Sequence, residues 1–260
     1  MSEVTAVTSP PQLNDESFKA EVVSRFGLLP NFFQTAKDAP GLIQELWSFA
    51  RSGYLDNPLP SVFKERLFVH LSRFCEVRYC IVRHVGFLIG QGNPAGDPAA
   101  IPHTIEQAVR LLNQPAMLPA EELDEVYARL NLTRFTQMPA METREEKDIF
   151  AAASVMFVQP GCSQQAAKAV RTAIGGTNFE ILTAFLAFIR TAHYWTLTHQ
   201  ELTFEADMAA MLVAHEHLAK LLLDVSDAAH AQLPTQLHRE LLLLRQEHDD
   251  RQLLREALAG

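Results

Sequence analysis

Apolar residues recur every three or four positions along nearly the whole chain, and alternation with a period of two is almost absent. That pattern lines one face of successive helices and gives no strand a buried and a wet side, so the expected fold class is all-α. Glycine and proline punctuate it. Asp15 opens a helix to about Phe26, which the Gly27–Pro30 turn ends; a second helix covers about 31–38, and Pro40 opens a third to about Ser52. After the Asp56–Pro60 break, Ser61 is an expected N-cap for a helix at 62–74, and another runs over 76–90 to the Gly90–Pro94 stop. Thr104 caps a short helix to about Asn113, Pro119 starts the next, and Thr143 with Glu146 forms an expected capping box for a helix to Phe157. Helices at 163–174, 178–191, 193–201 and 203–224 follow, and Pro234 opens a last one reaching Leu258. Residues 1–14 read as a disordered leader.

A chain of 260 residues, 48% hydrophobic, can bury a large core. The formal net charge of -9 argues against nucleic-acid binding, which needs clustered Lys and Arg. Three cysteines, Cys75, Cys80 and Cys162, are too few and too irregular for a disulfide framework. No apolar run reaches the roughly 18–20 residues of a membrane helix, and the expected location is cytoplasmic.

Residues 64–84 align without gaps on residues 179–199. Glu65 then pairs with Glu180, Leu67 with Leu182, Leu71 with Leu186, Tyr79 with Tyr194 and His84 with His199. The leucines match by helical periodicity alone, but Glu, Tyr and His at fixed offsets point to duplication. The expected organisation is a first unit over 15–130, a second, degenerate unit over 143–224 packed on it, and a 234–258 helix for dimerisation or signalling.

The chemistry centres on the first unit. Cys80 and His84, four apart, share a helix face, and a helix–turn–helix hairpin folds Glu65 back onto it. A carboxylate orienting an imidazole that contacts a thiol is a proton relay able to activate a nucleophile. Cys80 also falls near its helix's N-terminus, where the dipole favours thiolate.

This arrangement of Glu, fifteen residues, Cys, three residues and His resembles the alkylhydroperoxidase D / carboxymuconolactone-decarboxylase signature, in which a Glu precedes C-x-x-C-x-x-x-H. The Phe26-Gly-Leu-Leu-Pro-Asn-Phe-Phe segment and the Pro40–Leu55 helix resemble the opening of its peroxidase-related members. The resemblance covers about residues 15–92, and the second half only through the repeat. It implies a duplicated helical bundle and assigns Glu65, Cys80 and His84 to the site, with Tyr79 beside them. Val77 stands where the family has its first cysteine, which removes the dithiol–disulfide cycle. Cys75, about 140° around a helix from Cys80, is a poor substitute. In the second copy Trp195 replaces the cysteine. Glu180, Tyr194, Trp195 and His199 are therefore expected as pocket walls, with Val77 and Tyr79, around an unknown small molecule.

His193, His199, His215 and His217 near Glu180, Glu201 and Glu205 lack metal-ligand spacing, so neither metal nor cofactor is expected. The 234–258 helix suits pairing in a homodimer or coupling to a downstream signalling module. The leading expectation is a sensory or ligand-binding module, with redox sensing through Cys80 as one form of it. A thiol-dependent peroxidase-like oxidoreductase working through Glu65, Cys80 and His84 with a redox partner is the second, and a structural interaction protein the third.

Overall fold

The computed structural model describes residues 15–115, 117–159, 163–199 and 201–223. Within them the chain forms eleven α-helices and no strand. In chain order these are α1 (Asp15–Phe26), α2 (Pro40–Ala50), α3 (Ser61–Phe74), α4 (Arg78–Leu88), α5 (Ile105–Leu112), α6 (Ala120–Leu132), α7 (Arg144–Val158), α8 (Gln164–Ile174), α9 (Gly176–Thr198), α10 (Ala206–Ala214) and α11 (Glu216–Leu223). No described helix is long and apolar enough to cross a membrane. The 1–14 leader, Cys162 and the 234–258 helix lie outside the described residues.

Several elements depart from the sequence expectation. The 31–38 helix shrinks to one 3-10 turn at Asn31–Gln34, with Ala36 following at φ 53°. α2 runs on into a π-turn over Arg51–Leu55. Ser61 is the first helical residue and not the cap; its hydroxyl donates to Asp97 at 2.7 Å. The expected helices at 178–191 and 193–201 are one, because no Gly or Pro interrupts them and Thr191 turns its hydroxyl back onto the Ala187 carbonyl. The expected 203–224 helix breaks at His215, letting α11 turn across α4 to reach α5. Thr143 does cap α7, accepting from the Glu146 amide. The Glu146 carboxylate does not return the bond to Thr143. It goes to Arg66 and to the Glu142 amide instead.

α3 is the axis of the bundle, buried along nearly its whole length, polar residues included. The polar side chains on it reach several neighbouring elements. Arg66 forks onto Glu146 of α7 at 2.7 and 2.8 Å, and His70 meets Ser154 of the same helix at 3.0 Å. Ser72 meets His193 of α9 at 2.8 Å, Arg73 holds carbonyls at the end of α5, and Lys64 donates to the Leu55 carbonyl. Between these lie Leu67, Phe68, Val69 and Leu71, each essentially inaccessible. Such side chains contribute about 1.5–3 kcal/mol apiece by burial, while the polar contacts fix which helix faces which.

Candidate functional site

Glu65 sits near the start of α3 and His84 in the middle of α4, nineteen positions apart. The turn between the helices folds them together, with Glu76 at φ 54° and the Val77 amide bonded to the Ser72 carbonyl. The His84 Nδ1 to Glu65 Oε2 distance is 2.7 Å. Glu180 and His199 have the same nineteen-residue spacing, but Glu180 lies in the first turns of the unbroken α9 and His199 just past its end. A straight helix separates such positions by roughly 28 Å along its axis. Glu180 lies on the surface in an ion pair with Arg171 at 2.8 Å, and His199 stacks on Trp195 with Nδ1 at that residue's carbonyl. The aligned segments are thus a hairpin in one case and a single helix in the other, and the second set is not brought together.

Glu65 is completely buried, and three groups converge on it. The Tyr54 hydroxyl and the Ala95 amide donate to Oε1, and His84 occupies Oε2. Tyr54 comes from the π-turn, and Ala95 from a 3-10 turn at Pro94–Gly96, where it adopts φ 46°. A left-handed alanine costs of order 1 kcal/mol, and here it aims an amide at a buried carboxylate. Burial beside Glu65 raises the Tyr54 pKa well above its ordinary value, so this hydroxyl stays a donor. With its Nδ1–H committed to Glu65, a neutral His84 ring keeps its lone pair on Nε2. The ring lies flat on Phe68, centroids 3.5 Å apart.

A cavity of about 40 Å³ adjoins this cluster. Cys80, His84, Tyr79 and Arg83 line it from α4, with Tyr54 and an aromatic wall that includes Phe26, Phe33, Phe87 and Phe188. It has room on the order of three water molecules. Cys80 and His84 therefore face one space, but the hydrogen-bond partner of Cys80 is the Thr196 hydroxyl, 3.5 Å away on α9. The thiol is buried, and desolvation pushes its pKa up to about 12. The helix N-terminus by itself favours thiolate. A dipole contributes about 0.3–1 kcal/mol, under one pKa unit, whereas full burial shifts a pKa by up to about 3–5 units. Desolvation wins.

The mouth of the cavity is tied down by polar contacts. Tyr79 donates to Glu205 at 2.6 Å and accepts from the Phe32 amide at 3.2 Å, while the Asn31 amide also donates to Glu205. Arg83 lies 2.8 Å from Asp207 and 3.6 Å from Glu205, with its guanidinium over the Phe87 ring. Trp195 donates to Thr35 at 2.8 Å. The Asn31–Gln34 turn is thus latched over the cavity from α4, α9 and the segment entering α10.

Of the residues expected to wall a pocket, Tyr79 lines this cavity. Val77 is buried in the turn, Trp195 braces the latch from outside, and Tyr194 is 71% exposed on the opposite face of α9. Glu180, Tyr194, Trp195 and His199 are absent from its lining, because α9 presents Phe188 and Ala192 there. Tyr54, Ala95, Thr196, Arg83 and Glu205 were not anticipated. Tyr54 alone carried a signal, since a tyrosine inside an apolar helix needs a partner for its hydroxyl. Among the described residues no group of His, Cys, Asp and Glu has metal-binding geometry. Cys75 caps α3, half-buried against Phe74 and Met117 and away from the cavity.

Replacing Glu65 by Gln removes one acceptor oxygen and presents an NH2 group to the cluster. We expect a cost of about 2 kcal/mol in urea unfolding. We also expect the His84 proton to move from Nδ1 to Nε2, so that the ring accepts from Gln. Imidazole ¹⁵N shifts report the tautomer, and an unchanged pattern would count against this hydrogen-bond assignment.

Comparison with known protein families, curated proteins and solved structures finds no match for this chain.

Proposed function

We propose that this chain is a ligand-binding or sensory module on an alkylhydroperoxidase D-like helical bundle, with the ligand entering beside His84. The observation that carries this reading is the state of Cys80: buried, bonded to Thr196, its thiol pushed up to about 12. Such a thiol has almost no thiolate at neutral pH and is a poor standing nucleophile. Beside it, a histidine held by Glu65 offers Nε2 as a polar anchor among aromatic rings. That combination suits recognition of a very small molecule with one polar group. Redox sensing at Cys80 fits the same reading if opening of the latch exposes the thiol. Homodimerisation, coupling to a downstream signalling module and a cytoplasmic location belong to this proposal.

The second reading is a peroxide-reducing thiol oxidoreductase, favoured by one observation: Cys80 and the Glu65–His84 pair line the same cavity. Alkylation of Cys80 against pH separates the two, with Cys75→Ser and Cys162→Ser removing the other thiols. The rate is expected to climb steadily past pH 9 with no plateau at neutral pH, and hydroperoxide with a dithiol donor to give no turnover. An inflection near pH 7 together with turnover abolished in Cys80→Ser would establish the enzyme reading instead.

A further inference from the structure

On another side of α3 an open cleft of about 490 Å³ lies between the start of that helix, the 101–103 segment and the 137–141 loop. Its walls are mainly apolar, with Val62 and Phe63 on one side, Ile101 on a second, and Met138 and Met141 on a third. Ile101 is 83% and Met141 45% exposed, so this face is accessible. The volume falls in the range of small-molecule sites, about 300–1,000 Å³.

The polar chemistry at the cleft is specific. Arg66 Nη1 lies 3.2 Å from His103 Nε2, while its other nitrogens are forked onto Glu146. A guanidinium only donates, so His103 Nε2 accepts and the ring proton sits on Nδ1. Burial and the adjacent Arg66 push the His103 pKa down to about 4, which keeps the ring neutral. His103 is only 6% exposed and lines the cleft, yet Nδ1 has no hydrogen-bond partner among the described residues. The Gln107 side-chain oxygen is taken by the capping box with Thr104, and its amide nitrogen and the exposed Gln137 are further polar side-chain groups on the lining. The nearby charges cancel in pairs, Arg66 with Glu146 and Arg110 with Glu142 at 2.9 Å.

We propose that this cleft is a second ligand site, binding an uncharged, mainly apolar small molecule through one acceptor oxygen placed on the His103 Nδ1–H. The reading is independent of the Cys80 cavity. Charge neutrality gives an ion no advantage, the apolar walls supply the contact area, and the unpartnered His103 Nδ1–H favours a carbonyl-type oxygen over a hydrocarbon.

The test uses the full chain labelled with ¹⁵N and two probes of matched shape, acetophenone and α-methylstyrene, which differ in whether the side group offers an oxygen. Acetophenone is expected to shift the amides of Ile101, His103, Met138 and Met141 and the His103 ring nitrogens. α-Methylstyrene should bind roughly fivefold more weakly, the factor that one hydrogen bond of about 1 kcal/mol carries. Ala140→Trp, a surface change at the cleft wall that leaves Arg66 untouched, should abolish these shifts while the rest of the spectrum stays folded. Equal response to both probes, no response to either, or shifts confined to the amides around Cys80 and His84 would each overturn the proposal. The last outcome alone would leave the Cys80 cavity standing as a ligand site.

Discussion

Acidification from pH 7 to pH 5 is expected to remove roughly 4 kcal/mol or more of folding stability, well before most carboxylates titrate. The main cause is two histidines sealed in the core, His70 and His193, whose pKa values burial pushes down to about 3, and His103, held at about 4, adds to it. Ser154 donates its own proton to the Phe150 carbonyl, so it accepts from His70 Nε2–H, which leaves Nδ1 buried with no partner. His193 likewise has an unpartnered Nδ1. A proton added at either has nowhere to donate. The folded pKa lies below the unfolded value of about 6.5, so the unfolded chain binds more protons in this window. Stability is therefore complete above 6.5 and falls as pH drops towards 3, by about 1.4 kcal/mol per pH unit for each histidine. Two such slopes consume a large part of an ordinary domain's 5–15 kcal/mol. Urea unfolding at pH 7, 6 and 5 measures the effect, and His70→Phe should remove about a third to a half of it. A flat profile between pH 7 and 5 would show that these rings are not buried neutral.

The second large effect concerns the pair that joins α3 to α7. Arg66 and Glu146 are both essentially inaccessible and doubly bonded to each other. Arg66→Met is expected to cost about 3–5 kcal/mol, because it strands a carboxylate in the core. It also removes the donor that fixes the His103 tautomer. The double variant Arg66→Met, Glu146→Leu should recover most of that loss, since an apolar pair of similar volume carries no stranded charge. A single variant that unfolds at nearly the wild-type urea concentration would mean that water already reaches the pair.

The hairpin was legible in the sequence because its signals are local. Helical periodicity ran on both sides of Cys75–Val77, and folding back at that turn put Glu65 within reach of His84. The same spacing misled in α9, where the pattern of Glu, Tyr and His says nothing about whether a turn lies between them. Thr143 and Glu146 show a different limit. The cap forms as the spacing requires, but a buried arginine from eighty positions earlier claims the carboxylate. The Ala95 amide was invisible for the simplest reason: it is backbone, and any residue supplies one. For Cys80 the local dipole was readable and the desolvation was not, since burial depends on α9 and the aromatic wall arriving from elsewhere.

The π-turn at Arg51–Leu55 bears on how this site responds to change in length as opposed to composition. Such a turn is one residue wider than α-helix, so it offsets the phase of everything that follows by about 100°. Tyr54 reaches Glu65 and stacks on Phe185 and Phe188 from that offset position. Deleting the exposed Ser52 would return the segment to regular winding and swing Tyr54 off the carboxylate, although no side chain of the cluster had been altered. The buried cluster is thus sensitive to insertions and deletions across a stretch where point substitutions on the outer face are harmless.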